Sequence, residues 1–193
     1  MKLEDPDVIA AVLAGDKDSF EHFIRKYQTK VYTLVFRLVR DRETALDLTQ
    51  EVFLKIFQKL SDLKDPGKAS SWIMQVAHNT SLDWLKKRKV DSFAADFEDQ
   101  QTQQKIFQHL QDVSSPSPEA IVELMSPSRM SELVNKLDVK YRTVITLRFI
   151  EGYSFKEIAK ILNLPLSTVK FRKHYALQLI KDRWMQIARD GEE

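Results

Sequence analysis

Residues 163–182, NLPLSTVKFRKHYALQLIKD, place Lys170, Arg172, Lys173 and His174 among Phe171, Tyr175, Leu177 and Ile180. The chemistry on offer is recognition. Basic groups neutralise phosphates, and side-chain donors and acceptors pair with base edges. A single basic helix is more often a solvated face. Phe171 and Tyr175 stand four apart, however, with His174 three after Phe171, so one helical face carries aromatic and donor groups together. Thr168, Lys170, Phe171, Arg172, His174 and Tyr175 are therefore expected near the exposed start of the last helix.

A second constellation is Asp47, Gln50 and Glu51, which helical spacing joins into a polar stripe beside Leu48 and Phe53. Alone, such a stripe is commonly just solvated. Catalytic patterns are missing: the chain has no Gly-rich phosphate loop, no His-Glu-x-x-His helix and no Gly-x-Ser-x-Gly elbow. It has no cysteine, and its four histidines (His22, His78, His109, His174) lie far apart. No metal or other cofactor is expected, and an enzyme is the class least in keeping with these residues.

Helices must position both constellations. The chain of 193 residues has only four glycines and six prolines, and its apolar residues recur every three or four positions. An all-α fold follows. Phe20, Phe23, Ile24, Tyr27, Val31, Leu34, Val35 and Leu38 keep one apolar face for about five turns. Asp41 caps a second helix with Ala45, Leu48, Val52, Phe53 and Ile56. KDPGK at 64–68 is a turn. Ser70 or Ser71 is expected to cap a helix that runs through Trp72 and Leu85 to the basic end Lys86–Lys89, which suits the negative end of a helix dipole. Residues 91–125 hold seven acidic residues against the single Lys105, with SSPSP at 114–118. They read as an acidic linker with a short helix at 105–110. The pattern resumes at Ser131, breaks at Gly152 and restarts at Ser154, whose spacing to Glu157 fits a capping box. Helices at about 141–150 and 154–162, a turn at Asn163–Pro165 and a long final helix make a helix-turn-helix, packed through Ile158, Ala159, Leu162, Leu164 and Val169. The expected division is a helical domain over 1–90, a linker over 91–129 and a second helical domain over 130–193. With no apolar run of membrane-spanning length, and an acidic start where a secretory signal would be basic, a cytoplasmic protein is expected.

These motifs carry a resemblance. YRTVITLRFIEGYSFKEIAKILNLPLSTVKFRKHYALQLIK resembles region 4 of extracytoplasmic-function (ECF) sigma factors. DRETALDLTQEVFLKIFQKL resembles the family's region 2.2, and SSWIMQVAHNTSLDWLKKRK its regions 2.3 and 2.4. The similarity covers about residues 10–90 and 130–183, in the family's order. It implies a transcription initiation factor that binds core RNA polymerase, directs it to promoters and helps melt the minus-ten region. An ordinary helix-turn-helix regulator would account for residues 130–183 but leave 41–89 without a job. A protein-binding scaffold or an anti-sigma-type partner would leave the basic run at 86–89 unexplained.

The resemblance also implies residue roles. Asp47, Leu48, Gln50, Glu51 and Phe53 would dock on the beta-prime clamp helices, and region 4 would contact the beta flap. Trp72, Asn79, Asp83, Lys86, Lys87 and Arg88 would hold minus-ten DNA, with Asn79 and the 64–70 loop pocketing a flipped base. Asn79 suits that task because an amide pairs with a base edge; Trp72, at the start of an amphipathic helix, is more often core. Thr168, Lys170, Phe171, Arg172, His174 and Tyr175 would contact the minus-thirty-five element. Leu46, Phe171 and Tyr175 depart from the usual acidic, small hydroxyl and arginine residues. An anti-sigma factor is a plausible further partner.

Overall fold

The computed structural model describes residues 5–88 and 125–190, and among these every regular element is helical. The described chain divides into two compact units, one of residues 5–88 with 156–163 and one of 125–155 with 164–190.

In the first unit α1 (Asp5–Leu13), α2 (Lys17–Val39), α3 (Arg42–Lys59) and α4 (Ala69–Lys87) gather around α2, which packs against the other three. The stripe of α2 supplies the centre: Phe23, Tyr27, Val31, Leu34, Val35 and Leu38 are all buried. Val52 and Ile56 of α3 and Ile73, Met74 and Ala77 of α4 close on it with no exposed surface. The Asp41 carboxylate accepts the Thr44 N–H at 2.8 Å, which makes Asp41 the cap of α3. Arg40, in the left-handed region at φ 60°, ends α2, its N–H donating to the Phe36 carbonyl at 2.8 Å. A non-glycine residue in this conformation signals a turn imposed by the packing on either side.

Two expectations change here. α1, a helix the sequence reading did not mark within its 1–90 domain, buries Val8, Ile9 and Val12. Nor do Ser70 and Ser71 cap α4, for they lie inside it. The cap sits upstream: Asp65 accepts the Gly67 N–H at 3.1 Å and pairs with Lys68, and the short 3₁₀ turn Pro66–Lys68 runs directly into α4. A helix entered through such a turn needs no separate serine cap.

In the second unit α5 (Pro127–Asn135) begins four residues before the expected Ser131. Ser126 accepts the Arg129 N–H, and Pro127 takes the first helical position, where its missing N–H costs nothing. α6 (Val139–Ile145) continues into a π-helical turn, Thr146–Ile150, in which the Glu151 N–H donates to the Thr146 carbonyl at 3.0 Å. Gly152, at φ 78°, makes the break. The buried Arg142 donates from Nη1 to the carbonyls of Leu137 at 2.8 Å and Asn135 at 3.2 Å, holding the end of α5 to α6. The core joins Leu133, Leu137, Tyr141 and Ile145 to Ala176, Leu177 and Ile180 of the last helix. In sequence that helix, α8 (Leu166–Asp190), follows α7 (Phe155–Leu162), whose residues from 156 on group with the first unit, and a turn at Asn163 with φ 52°. Helix, turn and helix thus occur in the expected order. Ile158, Leu162 and Val169 are buried, while Ala159 and Leu164 are half-buried. Residues 91–124 of the expected linker, with the helix expected at 105–110, lie outside the described residues, as does Lys89; residues 127–129, expected as linker, belong to α5.

Hydrogen bonds from Thr44, side chain first, hold the Asp41 carboxyl below its ordinary range. A depressed carboxylate stabilises the fold above its unfolded pKa, and that stability is lost as pH falls through the folded value. Below about pH 4 the melting temperature of Asp41→Asn should therefore fall less steeply with acid than that of the parent, measured by circular dichroism from pH 5 to 3.

Candidate functional site

On α3, helical phase separates what the sequence placed together. Asp47, Gln50 and Glu51 are exposed as expected. Leu48 and Phe53, expected as the apolar centre of the docking surface, are 4% and 7% exposed; Leu48 turns into the unit, while Phe53, though largely covered, lines the groove between α2 and α3. Leu48 shares the inward stripe with Ala45, Val52 and Ile56 at helical spacing. The outward apolar residues are Leu46, Leu54 and Phe57, at 48%, 63% and 58% exposure. They line a groove of about 830 Å³ with Phe20 and Ile24 of α2, and Gln50 lies on its wall. The rings of Phe20 and Phe57 meet at 4.9 Å across it. The sequence signal was there: these residues occupy positions that the buried stripe leaves over.

α4 carries the second group. Trp72 is half-buried; Asn79, Asp83, Lys86, Lys87 and Arg88 are exposed. Residues 72, 79, 83 and 86 recur at multiples of the helical turn, so they form one outward stripe ending in the basic residues. Asn79 Oδ1 lies 3.4 Å from His78 Nδ1. On either side His78 and Thr80 are buried, as is Ser81, whose Oγ donates to the Ala77 carbonyl at 2.8 Å. The guanidinium of Arg88 lies 4.7 Å from the centre of the Trp84 ring, a cation–π contact that keeps the last basic group over an aromatic face. The 64–70 loop is stiffened by the Asp65–Lys68 pair, and Lys68 is the first cause of the lowered Asp65 pKa.

At the start of α8 three of the six expected reading residues are not exposed. Lys170 is open to solvent and His174 and Tyr175 are half-buried, but Thr168 is 9%, Phe171 6% and Arg172 3% exposed. Tyr175 packs on the core of its unit. Its ring lies 4.9 Å from that of Tyr141 and 5.9 Å, nearly parallel, from that of Phe171. Tyr175 thus has an apolar task that its residue type did not disclose. Ser167, absent from the expected set, is exposed beside Lys170.

Comparison with known families fits this arrangement. Residues 23–90 match Sigma-70 region 2 and residues 128–180 match Sigma-70 region 4. The ECF RNA polymerase sigma factor SigW of Bacillus subtilis is 31% identical over 174 residues, 90% of this chain and 92% of that protein. The chain belongs to the ECF sigma factors. Two solved structures share the fold. CnrH, in complex with the cytosolic domain of CnrY, aligns over 95% of this chain and 99% of its own with a TM-score of 0.66 at 19% identity. The sigma factor RpoE, in complex with the anti-sigma factor NepR from Bartonella quintana, aligns over 86% and 96% with a TM-score of 0.61 at 17% identity. As a member of this family the sigma factor directs RNA polymerase to promoters. The region 2 match covers the segment that a stand-alone helix-turn-helix regulator would leave idle.

The division of α3 into two faces has a direct check. Leu48→Ala should lower stability by about 2–5 kcal/mol through its cavity, whereas Leu54→Ala should stay within about 0.5 kcal/mol, both measured by urea unfolding.

Proposed function

We propose that this sigma factor docks on core polymerase through the outward face of α3 and its groove, and holds minus-ten DNA on the outward stripe of α4. The observation that carries the reading is the continuity of charge and apolar surface on α3. Asp47, Gln50 and Glu51 stand beside an open groove walled by Leu46, Leu54 and Phe57. Such a surface suits a helical partner with apolar side chains at its centre and cations at its rim. The clamp helices of the beta-prime subunit are the assigned partner. Phe53 adds to the lining of the groove, and Leu48 serves docking indirectly, by fixing α3 on α2.

On α4, Asn79 is the base reader and Lys86, Lys87 and Arg88 the backbone contacts, with Asp83 between them and the half-buried Trp72 bracing the helix start. An exposed amide on a rigid helix, flanked by buried residues, meets the need of a site for an unstacked base. On α8, Lys170 and His174 carry the minus-thirty-five contacts, and region 4 is assigned the beta flap. Tyr175 braces α8 against Tyr141. The protein is assigned to the cytoplasm, where its relatives' polymerase acts, and it works by binding without chemistry of its own. Among the described residues no helix is long and apolar enough to cross a membrane. RpoE is found with an anti-sigma factor, and the α3 groove gives an antagonist of that class a surface to compete for.

Two substitutions test the docking face. Asp47→Arg with Glu51→Arg, and separately Leu54→Glu with Phe57→Glu, should leave the melting temperature near that of the parent. Each pair should weaken binding to core polymerase by about thirtyfold or more, the scale of lost hot-spot contacts. Undiminished affinity for both pairs in a fluorescence titration would remove α3 from the interface.

A further inference from the structure

Lys55 lies between the two surfaces of the first unit. Its ammonium is 2.6 Å from the Glu51 carboxylate, one turn earlier on α3, and the two side chains remain 35% and 49% exposed. The same ammonium donates to the Thr80 hydroxyl of α4 at 3.2 Å. Thr80 is 4% exposed and directly precedes the buried Ser81, while Asn79 on its other side faces solvent. One cation therefore touches a carboxylate of the docking stripe and the residue next to the base reader.

We propose that Lys55 is a positioning residue through which polymerase docking prepares α4 to hold the minus-ten base. The proposal rests on the reading of Glu51 as a docking residue and Asn79 as a base reader. An ammonium has three protons to place, and here Glu51 and Thr80 share them. A half-exposed ion pair is weak and readily exchanged. When a cation of polymerase takes the Glu51 carboxylate, Lys55 loses its stronger competitor and turns to Thr80. A charged donor held on a buried hydroxyl fixes the rotation of α4 at that level, because successive residues differ by about 100° and anchoring Thr80 inward keeps Asn79 outward. Glu51 is the group that docking changes, Lys55 relays the change, and Asn79 benefits without touching either.

The test compares two affinities for the same variants: free sigma factor for core polymerase, and assembled holoenzyme, at saturating core polymerase, for a single-stranded oligonucleotide carrying the non-template minus-ten sequence. Lys55→Met frees Glu51, so affinity for core polymerase should be unchanged or higher, while oligonucleotide binding should fall about three- to tenfold. Lys55→Arg should restore oligonucleotide binding. Thr80→Val should reproduce the loss at similar melting temperature, and the Lys55→Met, Thr80→Val double variant should lose no more than the larger single effect. A parallel fall of both affinities in Lys55→Met would overturn the proposal and make Lys55 an ordinary interface or structural residue. So would unchanged oligonucleotide binding, additive losses in the double variant, or losses that follow melting temperature and are not rescued by arginine. Asn79→Ala serves as the reference: if it leaves oligonucleotide binding intact, the reading of α4 fails and the role of Lys55 fails with it. If Asn79→Ala weakens binding and Lys55→Met does not, only the relay is lost.

Discussion

The apolar stripe of α2 is the constraint on which the first unit depends. With no cysteine in the chain, nothing covalent holds the helices together, and the surfaces of α3 and α4 are as well placed as their packing on α2 makes them. Residues from Phe23 to Leu38 keep one face buried over most of a 23-residue helix. α3 and α4 both close on that face. Each has one inward stripe, and its functional residues are what remains outside. Close packing makes that choice rigid, since rotating either helix by one residue would drive a charged group inward and expose a side chain such as Val52 or Ile73.

This dependence explains how far the sequence could be read. Helix existence, the Asp41 cap, the break at Gly152 and the turn at Asn163 were legible because periodicity and local hydrogen bonding dictate them. The 3₁₀ entry into α4 and the early start of α5 were not. Proline there signals a loop by composition, whereas at a first helical turn it is compatible with the helix. α1 escaped because it is short and its apolar residues crowd into Val8, Ile9 and Val12.

Site residues were legible by type more than by direction. Asp47, Gln50, Glu51 and Asn79 point outward because charge and amide groups are costly to bury. Leu48 was paired with them by sequence proximity, and helical phase separates it, whereas Phe53, though largely covered, lines the same groove as Gln50. The aromatic residues of α8 show the opposite difficulty. Nothing in the type of Tyr175 distinguishes a base reader from a side chain that stacks on Tyr141, since an aromatic ring with a polar tip suits either place. Leu54 and Phe57 were legible in principle, as apolar residues left over after the inward stripe is filled. Recognising them requires the inward stripe to be assigned first, which a linear pattern does not display.

On the proposed reading, polymerase docking and base holding fall on neighbouring helices of one unit, which bears on how specificity would arise. An isolated helix such as α4 offers one amide, a few cations and part of a tryptophan, too little to hold an unstacked base against the energy of the duplex. α8 likewise presents few outward groups at its start. Affinity has to come from combination. With α3 docked as proposed, DNA held by the enzyme would meet α4 at an effective concentration set by the complex, and a second unit on the same chain would add its contacts without a further association cost. Weak individual readers are then an advantage, because a promoter with one poor element loses a contribution that the other cannot replace alone. In that reading the first unit needs rigidity more than affinity: its α2-centred packing fixes the angle between the outward faces of α3 and α4, so binding at one surface would present the other.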